Sequence, residues 1–218
     1  MRVKKFIAFT LAEVLITIGI LGVVSAMTIP TLRSSHIKKE RGVKLQKFYS
    51  KMDNAVEQMN IEYGSYKDMT KPETSDDAFD WYMQSIDPFM GHAEIDKDNK
   101  IIYYIDGSSL GLFFVGGCLD VEYDVNGNKK PNLTGYDKFR FLYCFTDTDR
   151  QNWFGNKNIF FGTYGAGINT SAITRDDMIK KCSNKREGRN PEEDERAYCT
   201  RLLQNDQWEF KQDYPWKF

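Results

Sequence analysis

The sequence predicts an α+β fold: one long N-terminal helix, apolar in its first half and amphipathic in its second, packed on a head that contains an antiparallel β-sheet. Three observations carry this expectation. Apart from Glu13, residues 9 to 32 are uncharged. Apolar residues then recur at three- and four-residue spacing from Leu45 to Tyr63. Beyond residue 100, short strand-like runs alternate with turn residues. The 218 residues, 41% of them hydrophobic and 28% charged, suit one head domain of ordinary size. The formal charge is −1, falling to −4 without Arg2, Lys4 and Lys5, too weak a bias to indicate a nucleic-acid partner.

The helix comes first. Val14 to Leu32 contains no charged residue, and its 19 residues span roughly 28 Å, about one hydrocarbon core. Glu13 stands at its head. A carboxylate inside lipid costs about 2.5 to 3.5 kcal/mol, so such groups are paired or functional. Two alternatives treat the segment as a secretory signal peptide, cut after Val24-Ser25-Ala26 to leave Met27 first, or as a plain signal anchor. Neither explains the acid, or why an amphipathic pattern continues beyond it.

That pattern is Leu45, Phe48, Tyr49, Met52, Ala55, Val56, Met59 and Tyr63, one apolar stripe on a helix. From Phe9 to Glu62 the helix would extend roughly 80 Å. Pro30 removes a backbone bond, and Gly19 and Gly22 weaken the helix before it, leaving either a melted stretch from Gly22 to Pro30 or a mild kink. The cations Arg33, Lys38, Lys39, Arg41, Lys44 and Lys47 form a solvated face or meet lipid headgroups and acidic patches of neighbours.

The head follows from Gly64. Ser75 to Met83, with an Asp-rich first turn, reads as a short helix. Lys100 to Asp106 and Leu110 to Val115 read as a hairpin across Gly107-Ser108-Ser109. Cys118 to Asp124, Phe139 to Phe145 and Asn158 to Thr163 give further strands, and the C-terminal "WEFKQDYPWKF" gives either a terminal strand locked on the head or a sugar-stacking surface. Four cysteines permit three pairings. Local pairing of Cys118 with Cys144 and of Cys182 with Cys199 is preferred over a zinc site, which lacks a Cys-x-x-Cys grip, and over free thiols. Each closed loop stabilises by roughly 3 kcal/mol in the chain-entropy model.

One loop carries a chemical signal. In "DVEYDVNGNKKPNLTGYDKF" the residues Asp124, Asn126, Asn128 and Asp137 offer hard oxygen donors at spacings that suit calcium, although Gly127 and the missing closing Glu do not fit an EF-hand. The alternative is an Asn-Gly turn held by Asx hydrogen bonds, stiffened at its exit by Pro131. With His36 and His92 as the only histidines and no Gly-rich phosphate loop, no catalytic set can be assembled, and an enzyme is not expected.

The order Lys4, Lys5, a short spacer, Ala8, then "FTLAEVL" resembles the prepilin leader of type IV pilins and type II secretion pseudopilins. The resemblance covers about the first 30 residues. It implies cleavage by a prepilin peptidase between Ala8 and Phe9 and methylation of Phe9, although the family usually has Gly where Ala8 stands. Glu13 then becomes the fifth mature residue, where the family carries a glutamate that pairs with the N-terminal amine of a neighbour, and Pro30 falls where many members have a proline. The 120–139 run and the C-terminal Asp213-Tyr214-Pro215-Trp216 also resemble pseudopilin-like proteins, some of which bind calcium in the head.

The resemblance implies a pilin-like lollipop with a leader over 1–8, an assembly helix over 9–32, its amphipathic continuation over 33–63 and a head over 64–218. The function implied is a structural subunit of a type II secretion filament. A type IV pilus subunit is the alternative within the class, and an exported calcium-dependent binding module released by signal peptidase is the alternative outside it. Partners would be other pilin or pseudopilin subunits, the peptidase, an inner-membrane assembly platform and, before assembly, membrane lipid. The chain would cross the bacterial inner membrane once with its head outside the cytoplasm, which sets the basic cluster against the positive-inside tendency, and would end in a periplasmic or cell-surface filament.

Overall fold

A computed structural model describes residues 10–64, 71–164, 173–184 and 195–218. The protein is α+β, with a long N-terminal helix, α1 (Leu11–Glu62), and a six-stranded sheet. It divides into two compact units: residues up to Lys38 together with Phe218, and Lys39–Lys217. The division falls inside α1, where Leu45, Phe48, Met52, Ala55, Val56 and Met59 belong to the buried core of the second unit.

In the first unit α1 is unbroken and exposes its large apolar side chains, including Leu11, Val14, Leu15, Ile18, Leu21, Val24 and Ile29. This is the one described helix long and apolar enough to cross a membrane, whether as an anchor or as a signal sequence. Pro30 lies within the helix, and no melted stretch occurs between Gly22 and Pro30. Thr28 Oγ1 donates to the Val24 carbonyl at 3.0 Å, a side-chain bond to the preceding turn of the kind that tolerates local bending.

In the second unit the chain continues through α2 (Ser75–Ser85), α3 (Asp87–Met90), β1 (Glu94–Asp96), β2 (Ile101–Tyr103), β3 (Ser109–Val115), β4 (Cys118–Asp124) and β5 (Lys138–Cys144). It closes with α4 (Asp147–Phe154), β6 (Phe161–Thr163), α5 (Arg175–Cys182), a 3-10 turn (Glu195–Ala197) and α6 (Tyr198–Asn205). The sheet is a meander in sequence order, every pair antiparallel. Alternation sets its faces. Leu110, Leu112, Leu119, Val121, Tyr123, Phe139, Phe141, Tyr143 and Phe161 share one face and are buried. On α1, Phe48 stacks on Tyr123 with centroids 4.0 Å apart, and Tyr49 lies 6.2 Å from Phe141. The other face carries Glu122, paired with Lys138 at 2.8 Å and Arg140 at 3.3 Å.

Both disulfides form, Cys118–Cys144 across directly opposed positions of β4 and β5, and Cys182–Cys199 between α5 and α6. The C-terminal aromatics dock without a strand. Gln207 and Trp208 hold positive φ of 58° and 66°, which no strand accepts, and the segment runs on as turns. Trp208 still reaches Tyr49, 5.4 Å between centroids, and Phe210 reaches Phe139 at 6.2 Å. Gly42 is required beside this tail, since a Cβ there would collide with the Trp208 carbonyl oxygen.

Candidate functional site

Two sequence-predicted sites need placing: the start of α1 and the loop between β4 and β5. Ala8 and Phe9, the expected processing residues, lie outside the described residues. Glu13 is the third residue of α1, with Thr10 as its N-cap. Glu13 Oε2 accepts from both the backbone N–H and the hydroxyl of Thr10, each at 2.8 Å, while Thr10 Oγ1 accepts from the Glu13 N–H at 3.2 Å. This reciprocal arrangement is a capping box, which satisfies two otherwise orphaned groups of the first turn. The helix dipole also favours a negative charge there. Glu13 therefore has a local partner, Thr10, which the sequence reading of a lone acid did not include.

The loop from Val125 to Asp137 is built around two buried carboxylates, Asp124 at 4% exposure and Asp137 at 0%. Asp124 ends β4 and folds an Asx turn, its Oδ1 accepting from the Asn126 N–H at 3.0 Å. Gly127 follows with φ of 67°, a left-handed position that glycine adopts without strain. Asp137 precedes β5, and its two oxygens accept from the N–H groups of Asn132 (3.0 Å) and Leu133 (2.6 Å). With its amide nitrogen turned toward acceptors, Asn132 donates to Asp124 Oδ2 at 3.0 Å and to the Lys129 carbonyl at 3.1 Å.

A cation from α1 supplies the opposite charge. Arg41 donates through Nη1 to the Tyr136 carbonyl, and its guanidinium sits 4.4 Å from the centre of the Tyr136 ring. Burial pulls the Arg41 pKa down, opposed by the negative potential of Tyr136, Asp137 and Asp124. Burial likewise pushes Asp124 up to about 7; the Asp137 charge adds to this, and the Asn126 N–H and Lys138 oppose it. The loop is also bound from outside: Lys44 Nζ donates to Val125 O at 2.9 Å, and the Tyr214 hydroxyl to Gly135 O at 2.5 Å.

Of the four expected calcium ligands, the fold brings Asp124, Asn126 and Asp137 into one loop core and sends Asn128 elsewhere, its amide donating to the Tyr103 hydroxyl on β2 at 2.5 Å. Three carboxylate oxygens already hold backbone amides, and the fourth meets the Asn132 amide. Calcium takes six to eight oxygens. The donors in their present hydrogen bonds fall short of that, although the Asn126 Oδ1 is buried without a hydrogen-bond partner. Among the described residues, no group of three or more His, Cys, Asp or Glu is placed to hold a metal ion. Both alternatives weighed for this stretch meet in it, since the Asx turn is formed by a proposed ligand. Arg41 and Lys44 were legible as cations on a helix, but nothing in their spacing identified the loop as their partner.

No curated protein and no solved structure matches this chain. Residues 31–218 match the model of a family described as a family of unknown function, DUF6613, and the chain belongs to that family.

Proposed function

We propose that this protein is a structural subunit of a helical filament, of the pseudopilin kind found in type II secretion systems, anchored in the inner membrane and assembled through the first half of α1. The observation that carries the proposal is an acid at the head of an apolar helix whose large side chains are exposed. The family match begins at residue 31, so support comes from the N-terminal segment alone. Removing the leader before Phe9 leaves an ammonium group four residues from Glu13. In lipid an isolated charge is expensive, and an opposite charge on a neighbouring copy offsets it only if the two are brought together. Assembly would then be the state in which Glu13 has its full complement of partners, Thr10 within the chain and an amine from the next.

Calcium belongs to the same proposal as a ligand of the 124–137 loop. It would enter as a replacement for the amides that now hold Asp124 and Asp137, with Asp124 ionised. A rise in melting temperature on adding calcium, reversed by chelator, supports it; an unmoved transition removes it.

N-terminal sequencing of the mature chain tests the proposal directly. An N-methylated Phe9 is expected. Met27 as first residue would instead make the protein a released module, and an intact Met1 would make it a plain anchored one; either result ends the filament proposal.

A further inference from the structure

The second unit holds a cavity of about 370 Å³ that the filament assignment does not use, a size typical of small-molecule sites. Its floor is apolar and aromatic, made by Phe48, Met90, Tyr104 and Tyr123. Phe48 and Tyr123 are stacked with 10° between their planes. Tyr104 is fixed by a 3.1 Å hydroxyl contact with the buried Tyr82. One wall is tied in place by Lys44, whose ammonium donates to the carbonyls of Asp106 (3.0 Å) and Val125 (2.9 Å). The cavity is thus formed before any ligand arrives.

Its rim is cationic. The cations are Lys47 and Lys51, one turn apart on the exposed side of α1; His92 also lines the cavity, bonded through Nδ1 to Asp87 at 2.7 Å. Among the described residues Lys47 makes no hydrogen bond or ion pair, and Lys51 has only the Tyr104 ring, 5.9 Å away. The one carboxylate on the rim, Asp106, is turned into its own bend, where Oδ1 accepts from the Ser108 N–H at 3.1 Å and hydroxyl at 2.5 Å. Beside it Ile105 is 93% exposed. A solvated basic helix face accounts for the two lysines, but not for the apolar volume beneath them or for the bare isoleucine at its mouth.

We propose that this cavity binds an amphiphilic organic anion: a compact aromatic or short aliphatic body rests on Phe48, Met90, Tyr104 and Tyr123, and its carboxylate is held by Lys47 and Lys51. Apolar burial supplies most of the affinity. Ion pairs at an exposed rim are individually weak, so the lysines set orientation and discriminate charge.

The test uses the full chain in lipid nanodiscs, with 4-phenylbutyrate and the neutral 4-phenylbutanol as probes, read by titration calorimetry against empty nanodiscs. Saturable binding of the acid is expected, at least about fivefold tighter than the alcohol. The double variant K47E/K51E should lose that preference with its melting temperature unchanged, since both residues are exposed. No saturable binding up to millimolar acid, equal affinity for the two probes, or an undiminished preference in the double variant would each overturn the proposal.

Discussion

The starts of α1 and α2 are built alike and stand in opposite surroundings. At α2 the Thr74 side chain and backbone meet Asp77 in the same reciprocal box, with bonds of 2.8 to 3.1 Å. Asp77 lies on a water-facing surface, and the Thr74 hydroxyl holds its carboxyl below the usual range, aided by the Thr74 and Glu73 backbone. Glu13 makes the same bonds at the head of a helix whose exposed surface is apolar. In water a capping carboxylate keeps its hydration. In lipid it would not, and two hydrogen bonds from Thr10 leave the charge unneutralised. The box therefore explains why a residue with a side-chain oxygen sits three places after Thr10. It does not explain a charged one, since glutamine serves a capping box equally well.

Replacing Glu13 breaks the comparison with the largest effect. E13Q keeps an oxygen for the Thr10 N–H and removes the charge, whereas E13A removes both. Both variants should insert in the membrane and yield no filaments, as counted by electron microscopy of filaments isolated from disrupted cell envelopes. Filament formation by E13Q at the parent level would reduce Glu13 to a cap like Asp77 and remove the assembly role.

A second contrast uses one substitution in two stretches of the same helix. At Gly42 an added methyl group collides with the Trp208 carbonyl, while at Gly22 nothing lies within 4 Å. G42A should therefore destabilise by about 1 to 3 kcal/mol as the C-terminal tail is forced away, visible as an earlier loss of near-ultraviolet dichroism from Trp208. G22A should be neutral or favourable by up to about 1 kcal/mol, because alanine is the better helix former.

The extent of α1 was legible because its signals are local: apolar composition up to Leu32, then a helical period from Leu45 to Tyr63. The strands and the local disulfide pairing were also legible, from alternation and proximity along the chain. The hidden parts are those set by distant contacts. β1 has only three residues and exists through its pairing with β2. α5 and α6 are short, are joined by the Cys182–Cys199 bridge, and no apolar period marked them as elements. The starts of α4 and α5 do carry a Thr-x-x-acid pattern, at Thr146 to Asp149 and Thr174 to Asp177, a local capping signal that the expected elements left unused. In the candidate loop the acids were visible, but the Arg41 charge that meets them comes from far away in the sequence and no period records it.

The loop offers a third test, through pH. Asp124 has a folded pKa of about 7, against roughly 3.9 for an unfolded aspartate. Below about pH 4 both states are protonated. As pH rises from there through 7 the unfolded state sheds its proton first, so stability falls across that window and then levels off. D124N keeps an acceptor for the Asn126 N–H and cannot ionise. It should flatten the fall, with a melting temperature at pH 8 higher than the parent's by at least about 2 °C and little difference at pH 4. Parallel curves for parent and variant would mean that Asp124 is ionised throughout, with Arg41 compensating it fully.

The smallest effect bears most closely on what a capping acid is worth. D77A leaves Thr74 to cap α2 alone and should cost about 0.5 to 1 kcal/mol. D77N restores an oxygen that accepts from Thr74 but carries no charge. If the hydrogen bond is what matters, D77N regains most of the loss, and thermal melts should place it nearer the parent than D77A. If D77N is as unstable as D77A, the carboxylate acts through its charge on the helix terminus. That outcome would carry over to α1, because it would give Glu13 a reason to be charged within its own chain. A loss of filaments in E13Q would then reflect a weakened helix start, unless the variant's helix content were shown to equal the parent's. The assembly role of Glu13 is therefore sharpest when asparagine is tolerated at 77 and glutamine is not at 13.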